Sequence, residues 1–252
     1  MRKIQFPQEW IKEKWYGGIL HIFEIDGHQA WFVEPENPAG DGRWTWCMIW
    51  PEAFVPRTGV PELLERGFYH AHIDVLSTHA TPEGQKTILK FYWKALELGL
   101  APKVNLIGMS WSGFFSLRFA SENPEKISCI YLDAPLCNIA DRSVPQMAEI
   151  SQILQQEYGL TEAEMQTSFY NPVNALKPIA GIPVFAAIGE DDLVVPPANH
   201  INILEKRFKA LDGNIKICRR TMWGHHPHGF DDRSELLSFI IENAEKNSGN
   251  PL

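Results

Sequence analysis

The chain has 252 residues, of which 44% are hydrophobic and 21% charged, and its formal net charge is −8. These values are typical of one globular domain with a sizeable core, and they exclude a disordered or fibrous chain. The sequence contains no basic run or stripe, which argues against nucleic acid or an anionic membrane as a partner.

The amino-terminal segment and the cysteines bear on the compartment. Residues 1–7 lack an apolar signal region, and no run approaches the length of a membrane span. The cysteines show no CxxC spacing, and Cys47, Cys129 and Cys218 lie in strand-like runs, so we expect buried thiols there. These features favour a cytoplasmic protein.

The first hundred residues predict several strands before a long helix. Asp26-Gly27 between two apolar runs is a strong hairpin signal, and Gly99 is suited to end the long helix. In chain order the predicted elements are strands Ile19–Ile25, Gln29–Val33 and Trp44–Trp50, helix Val60–Arg66, strand Phe68–Val75 and helix Pro82–Leu98.

Strands and helices alternate in most of the remaining chain, which favours a mainly parallel sheet covered on both faces. After a strand that begins at Val104, the predicted elements are strand Ile127–Leu132, strand Pro183–Ile188, helix Asn199–Leu211, strand Ile215–Arg219 and helix Glu235–Lys246.

The alternation breaks over about residues 137–176. Helices are predicted near Val144–Tyr158 and from Thr161, where Thr161-Glu-Ala-Glu164 has the form of a capping box. We expect this segment to form a small helical cap over an active site. An ordinary surface excursion is the alternative.

The stretch around Ser110 is the centre of the functional argument. The apolar run Val104–Ile107 leads into Gly108, Ser110 comes two residues later, and a helix-like segment follows directly. A nucleophile elbow requires this order, because a sharp turn exposes the serine hydroxyl and the helix start offers free N–H groups to an anion. The usual pattern is G-x-S-x-G, whereas here Ser112 takes the second glycine position and Gly113 follows it. A helix N-cap serine is the alternative interpretation.

A nucleophilic serine needs a base and a carboxylate that orients the base. In this kind of fold they are expected at the ends of later strands, in the order Ser, Asp, His. The strand ending at Ile188 leads to Asp191 and Asp192, and we predict Asp192 because a turn and Val-Val-Pro follow it. Asp133, at the end of the strand after the elbow, is the alternative acid.

Three histidines follow the last predicted strand. We predict His225, which comes directly after Gly224, as the base, with His226 as the next choice and His228 as a support for the loop. A histidine-rich tract can also bind a metal, but no nearby acidic or cysteine residue completes a ligand set, so no metal site is predicted.

The remaining predicted site residues hold the oxyanion and the substrate. The Trp111 N–H is one expected oxyanion donor, and the other should come from the loop that begins at Trp50. Pro51 has no N–H, so Trp50 or Glu52 is expected there. The predicted substrate-binding side chains are Trp50, Ile150, Leu154 and Phe169.

Four short motifs resemble a known superfamily. They are Gly108-Met-Ser110, Asn123-Pro-Glu-Lys126, Asp133-Ala-Pro135 and Gly224-His-His-Pro-His228. Over nearly its whole length the chain resembles serine hydrolases of the α/β-hydrolase superfamily, and more narrowly the prolyl-oligopeptidase-like and carboxylesterase-like bacterial hydrolases. The typical elbow of those proteins is G-x-S-R-G-G, which this chain alters at Trp111 and Ser112.

The resemblance implies a mainly parallel, eight-stranded α/β-hydrolase sheet with helices on both faces, and an ester or amide hydrolase that needs no cofactor. We therefore expect a single domain over residues 1–252 with the cap over about 137–176. The leading hypothesis is a carboxylic ester hydrolase that acts through an acyl-enzyme on a small-molecule ester, for example an acylated sugar. A peptidase of prolyl-oligopeptidase type and an inactive hydrolase-fold binding protein are the alternatives. Whether the chain forms a homo-oligomer is left open.

Overall fold

The computed structural model describes residues 4–248, where nine strands form one sheet and seven α-helices accompany it. The strands are β1 (Ile11–Trp15), β2 (Gly18–Ile25), β3 (His28–Glu34), β4 (Trp44–Cys47), β5 (Tyr69–Ile73), β6 (Val104–Met109), β7 (Ile127–Asp133), β8 (Val184–Gly189) and β9 (Ile215–Arg220). The helices are α1 (Val60–Glu65), α2 (Pro82–Leu98), α3 (Trp111–Glu122), α4 (Pro145–Tyr158), α5 (Glu162–Thr167), α6 (Ile201–Lys209) and α7 (Ser234–Ser248).

The strand order across the sheet is β1-β2-β3-β5-β4-β6-β7-β8-β9. The pairs that involve β1, β2 and β3 are antiparallel, and every pair from β5 to β9 is parallel. The carboxyl ends of β4, β6, β7, β8 and β9 therefore meet at one edge of the sheet, where ligand sites of open α/β sheets are usually found.

The predicted α/β class with a mainly parallel sheet is confirmed, and the expected count of eight strands is wrong by one. The additional strand is β1, Ile-Lys-Glu-Lys-Trp, which lies at the edge of the sheet and buries only Trp15. A strand that packs one side chain lacks the apolar alternation that marks a strand in sequence. The strand predicted over Trp44–Trp50 ends at Cys47, and the chain turns at Trp50, whose φ is 59°.

Helices cover both faces of the sheet. The apolar sides of α2, α3 and α6 pack into the larger core, where Trp46 and Phe91 lie with ring centroids 4.9 Å apart. The apolar sides of α1 and α7 pack on the opposite face, against residues such as Trp31 and Tyr131. Strands β6, β7 and β8 are buried at every position, as expected for parallel strands covered on both faces.

The segment between β7 and β8 contains α4 and α5, close to the predicted helices. The capping box is present, since the Thr161 hydroxyl accepts from the Glu164 N–H (3.3 Å) and the Glu164 carboxylate accepts from the Thr161 N–H (2.7 Å). Ile150 is 8% exposed and Leu154 0%, and both belong to the larger core. These two side chains therefore pack this segment onto the domain.

A buried arginine ties α3 to the same segment. The Arg118 side chain is fully buried, and its Nη2 donates to the Glu122 carboxylate at 2.6 Å. The guanidinium carbon lies 4.9 Å from the ring centroid of Tyr170 and 5.9 Å from that of Tyr158. Aromatic rings over a desolvated guanidinium are a favourable cation–π arrangement. The helix that follows Ser110 is thus packed directly against the segment over 137–176.

No helix within residues 4–248 combines the length and the apolar character needed to cross a membrane.

Candidate active site

Ser110 lies in a sharp turn between the end of β6 and the start of α3. Its backbone has φ 47° and ψ −117°, a conformation that side-chain-bearing residues rarely adopt. Three hydrogen bonds fix the turn: the Ser110 N–H donates to the Asp133 carbonyl (2.9 Å), and the Ser110 carbonyl accepts from the N–H groups of Gly113 (2.9 Å) and Leu136 (3.0 Å). Ser110 is left partly exposed at the carboxyl edge of the sheet.

Small residues allow α3 to approach β6 this closely. A Cβ at Gly108 would lie 2.9 Å from the Gly113 Cα, and a Cβ at Gly113 would lie 2.5 Å from the Pro135 Cβ. Gly113 therefore supplies the close packing that the usual motif assigns to the residue before it. Ser112 has room for its Cβ.

The Ser112 hydroxyl is fully buried and connects the elbow to the loop after β4. It accepts from the Ile49 N–H at 3.2 Å and donates to the Ile107 carbonyl at 3.1 Å. The Ile49 N–H is therefore occupied. The next amide along this loop belongs to Trp50, and neither the Trp50 nor the Trp111 N–H has a hydrogen-bond partner among the described residues. Both are suited to an anion, because each is a free donor beside the turn.

The structure brings His225 and Asp192 to the Ser110 hydroxyl. His225 Nε2 lies 3.1 Å from Ser110 Oγ, and His225 Nδ1 lies 2.6 Å from Asp192 Oδ2. His225 is 7% exposed and Asp192 3%. Because Asp192 is a carboxylate, Nδ1 carries the proton and Nε2 presents its lone pair to the serine O–H. This is the geometry that a general base requires.

Asp192 is held in its ionised form. Burial by itself would raise the pKa of this carboxyl, but the hydrogen bond from His225 and those from the Val195 and Val194 N–H groups lower the pKa below its ordinary value. The two amide contacts are made to Oδ1, at 2.9 Å and 2.8 Å. One carboxylate oxygen is therefore anchored by the loop and the other faces the imidazole.

Asp133, the alternative acid, has a different set of partners. It is fully buried, and its oxygens accept from His228 Nδ1 (2.8 Å), the Tyr131 hydroxyl (2.7 Å) and the Gly229 N–H (2.7 Å). The Arg220 guanidinium lies 3.5 Å away. Burial, and then the adjacent Asp133 charge, raise the pKa of Tyr131 well above its ordinary value, so this hydroxyl stays a donor. Asp133 thus fastens the end of the histidine loop to the sheet.

The three histidines of the loop form a compact cluster. Their potential ligand atoms all lie within 4.8 Å of one another. His225 has both ring nitrogens engaged by Ser110 and Asp192, and His228 has one engaged by Asp133. A metal held by all three imidazoles would have to replace one of the two hydrogen bonds of His225. His226 is exposed, and burial followed by the neighbouring histidines lowers its pKa.

The other predicted site residues lie in different environments. Trp50 and Phe169 are each 46% exposed, whereas Ile150 and Leu154 are buried in the core as described above. The Glu52 carboxylate accepts from the Trp15 indole N–H at 2.7 Å, and no hydrogen bond from the Glu52 N–H is present in residues 4–248. The choice between Trp50 and Glu52 as the second oxyanion donor stays a prediction.

Sequence reasoning did not find the segment that faces Trp111. His79 and Ala80 have φ of 47° and 49°, and the Tyr158 hydroxyl lies 3.0 Å and 2.6 Å from their carbonyl oxygens. The His79 and Trp111 ring centroids are 6.0 Å apart. Backbone strain of this kind is concentrated at functional sites. No local pattern in the sequence marks this segment, because its position depends on contacts with α3 and α4.

The sheet order, the elbow and the residues at the strand ends define a protein of the α/β-hydrolase fold. Comparison with known proteins agrees. A family model described as the alpha/beta hydrolase fold matches residues 77–158, which include α2, β6, the elbow and α3. A search of curated proteins by sequence gave no match.

Solved structures share this fold at low sequence identity. An S-formylglutathione hydrolase from Agrobacterium tumefaciens aligns with a TM-score of 0.67 and 13% identity, over 95% of this chain and 98% of that one. Acetyl xylan esterase 1 from Thermoanaerobacterium aligns with a TM-score of 0.61 and 13% identity, over 95% of this chain and 89% of that one. Pyrococcus horikoshii acylaminoacyl peptidase aligns with a TM-score of 0.65 and 10% identity, over 92% of this chain but only 40% of the peptidase.

Proposed function

We propose that this protein is a serine hydrolase that cleaves carboxylic esters through an acyl-enzyme, with Ser110 as nucleophile, His225 as base and Asp192 as the acid that orients His225. The observation that carries the proposal is the unbroken hydrogen-bonded series from Asp192 through His225 to the hydroxyl of a strained elbow serine. A helix N-cap serine would instead bond the N–H groups of its own helix, and the Ser110 side chain makes no such bond.

In the first half of the reaction, His225 Nε2 takes the Ser110 proton as Oγ bonds to the ester carbonyl carbon. The carbonyl π pair moves onto oxygen, and the Trp111 N–H and an N–H of the loop after β4 donate to that oxyanion. Collapse of the intermediate re-forms the carbonyl and breaks the bond to the leaving alkoxide. His225 gives its proton to that alkoxide, so an alcohol departs.

In the second half, water takes the place of the alcohol. His225 removes a proton from the water as its oxygen bonds to the acyl carbon. Collapse of this second intermediate releases the carboxylic acid and returns the proton to Ser110. Asp192 stays ionised throughout and stabilises the imidazolium form of His225, in line with the lowered pKa of its carboxyl.

Two of the solved structures support ester cleavage in this proposal. The S-formylglutathione hydrolase and the acetyl xylan esterase align with 95% of this chain each. The ester would be a small molecule, and the residues proposed for catalysis require no cofactor.

Two measurements test the proposal. A panel of p-nitrophenyl esters and aminoacyl p-nitroanilides should show turnover of the esters, and a fluorophosphonate probe should label the protein once. Ser110→Ala should lose both ester turnover and fluorophosphonate labelling, whereas Ser116→Ala should keep both. Ser116 is a control because it is a fully buried serine of α3, the helix that follows Ser110, and its hydroxyl has no partner among the described residues.

Each alternative has its own outcome. Turnover of the anilides in preference to the esters would assign a peptidase, and the absence of both labelling and turnover would assign an inactive binding protein. Inhibition by EDTA that a divalent metal reverses would replace the Ser-His-Asp mechanism with a metal site at the histidine cluster.

A further inference from the structure

A cavity of about 520 Å³ opens beside the loop after β4. Its walls come from this loop, from the first three strands and from the carboxyl end of β5. The side chains that matter are Glu13, Trp31, Trp50, Glu52, His72 and Asp74. The cavity is connected to the elbow, because Ile49, which lines it, donates its N–H to Ser112. We call it the acceptor cavity.

The hydrogen bond of His72 fixes which ring nitrogen carries the proton. His72 Nδ1 lies 2.9 Å from the Cys47 carbonyl oxygen, which can only accept, so Nδ1 is the donor. Burial lowers the pKa of His72 to about 4, so the ring is neutral at physiological pH. Nε2 therefore carries a lone pair. The residue is only 7% exposed, and Nε2 has no hydrogen-bond partner among the described residues.

The charged groups of the cavity are, like His72 Nε2, hydrogen-bond acceptors. Glu13, Glu52 and Asp74 are carboxylates, and neither lysine nor arginine is among the described residues that line the cavity. The Trp15 indole N–H holds the Glu52 carboxylate at 2.7 Å. A bound molecule would thus meet one unpartnered imidazole acceptor and three negative charges, which favours a cationic hydrogen-bond donor.

Two tryptophans also line the cavity. Trp31 is 5% exposed and belongs to the smaller core, whereas Trp50 is 46% exposed. Indole is the aromatic side chain that attracts cations most strongly. The backbone of Trp50 is held at φ 59°, directly after the Ile49 amide that Ser112 fixes. Trp50 therefore directly follows an amide that is hydrogen-bonded to the elbow.

We propose that the acceptor cavity binds an ammonium group of the ester substrate, with His72 Nε2 accepting one N–H and the carboxylates balancing the charge. This inference rests on the proposed ester hydrolysis. It adds a substrate class, namely esters that carry a primary amine on the acyl or the alcohol side.

Two matched ester pairs test the inference. p-Nitrophenyl 6-aminohexanoate is compared with the heptanoate, and 6-aminohexyl butyrate with heptyl butyrate, so that in each pair a methyl group replaces the ammonium. In at least one pair we expect kcat/KM to be about tenfold higher for the ammonium ester at low ionic strength, as expected for a cation against indole and carboxylates. The advantage should fall as NaCl is added, because salt screens the exposed carboxylates.

Variants locate the preference in the cavity. His72→Asn retains a donor for the Cys47 carbonyl but lacks the second ring nitrogen, and it should lower the ammonium-to-neutral ratio about tenfold. Asp74→Asn, at an exposed position, should lower the ratio about threefold without depending on a buried site. Glu242→Gln removes an exposed carboxylate of α7 outside the cavity and should leave the ratio unchanged.

Two results would overturn the inference. The first is a ratio near one in both pairs. The second is a preference for an acetylated sugar that the same variants abolish, which would reassign the cavity to neutral polyols. Failure of the proposed function is a separate result: the neutral esters would then not be hydrolysed in a Ser110-dependent manner at all.

Discussion

Asp192 and Asp133 are both buried carboxylates near the histidine loop. Conversion of Asp192 to asparagine should mainly lower activity, whereas conversion of Asp133 to asparagine should mainly lower stability. Asp192→Asn should lower kcat/KM for p-nitrophenyl acetate by roughly 10⁴, because an amide cannot stabilise the imidazolium of His225. Asp192→Asn should change the free energy of unfolding little, since the amide oxygen can still accept from the N–H groups of Val194 and Val195.

Asp133→Asn should instead act on stability. Asp133 accepts three hydrogen bonds while fully buried, and the substitution removes the negative charge that Arg220 faces at 3.5 Å. Disruption of a buried charge pair on one side costs about 3 kcal/mol or more of unfolding free energy. For a chain of this size, about 3 kcal/mol corresponds to a fall in Tm of roughly 6–12 °C. Activity at 20 °C should fall less than tenfold by the same reasoning, because Asp133 reaches His225 only through the loop.

Differential scanning fluorimetry and urea titration measure the stability of the two variants, and ester kinetics measure their activity. Together these assays decide which aspartate orients His225. Asp133→Glu is a useful further variant, because it keeps the charge but not the geometry. If Asp133→Asn abolishes turnover at an unchanged Tm while Asp192→Asn remains active, the acid of the site is Asp133 and the role given to Asp192 is wrong.

Three further predictions concern the histidine loop, the buried histidines of β5 and the segment over 137–176. His225→Ala should lower kcat/KM to the level of Ser110→Ala. His226→Ala should retain most activity, because its exposed ring is hydrogen-bonded to neither Ser110 nor Asp192. Equal losses of ester turnover in the two variants would contradict this assignment. Burial lowers the pKa of His70 to about 3 and that of His72 to about 4, so the unfolded chain binds more protons than the folded chain below pH 6.5. The free energy of unfolding should therefore fall by about 3 kcal/mol between pH 6.5 and 5 in urea titrations, and a flat profile over that range would refute the reasoning. Leu154→Ala should lower the free energy of unfolding by about 3 kcal/mol and lower kcat/KM for all esters by the same factor. Phe169→Ala should alter the relative kcat/KM across acyl chain lengths with little change in Tm. The reverse pattern would restore Leu154 as a residue that contacts the substrate.

The sequence allowed the elbow and its two partners to be singled out because each lies at the end of a strongly apolar strand. Strand ends of a parallel sheet meet at one edge, so the order along the chain is enough to predict that such residues lie close together. Asp192 could be preferred to Asp133 for a local reason, the turn after it. The structure adds what that turn does, since its Val194 and Val195 amides hold one oxygen of the carboxylate.

The cap residues could not be predicted in the same way. The amphipathic pattern of α4 identifies an apolar side that contains Ile150 and Leu154, but it does not say what that side faces. In the structure it faces the core. The contacts that decide this come from distant parts of the chain, such as Arg118 of α3 against Tyr158 and Tyr170. The edge strand β1 escaped prediction for a related reason, since its partner strand rather than its own pattern determines it.

The substitution of Ser112 for the usual second glycine has a physical consequence for the whole site. A glycine there could pack closely but could not hold the loop after β4, whereas the Ser112 hydroxyl joins the Ile49 amide to the Ile107 carbonyl. Gly113 takes over the close approach to Pro135, so the chain retains the packing of the elbow and gains a fixed loop. That loop carries Trp50, whose amide is a candidate oxyanion donor and whose ring lines the acceptor cavity. In the proposed mechanism the candidate Trp50 donor and the acceptor cavity therefore share one anchor, the Ser112 hydroxyl.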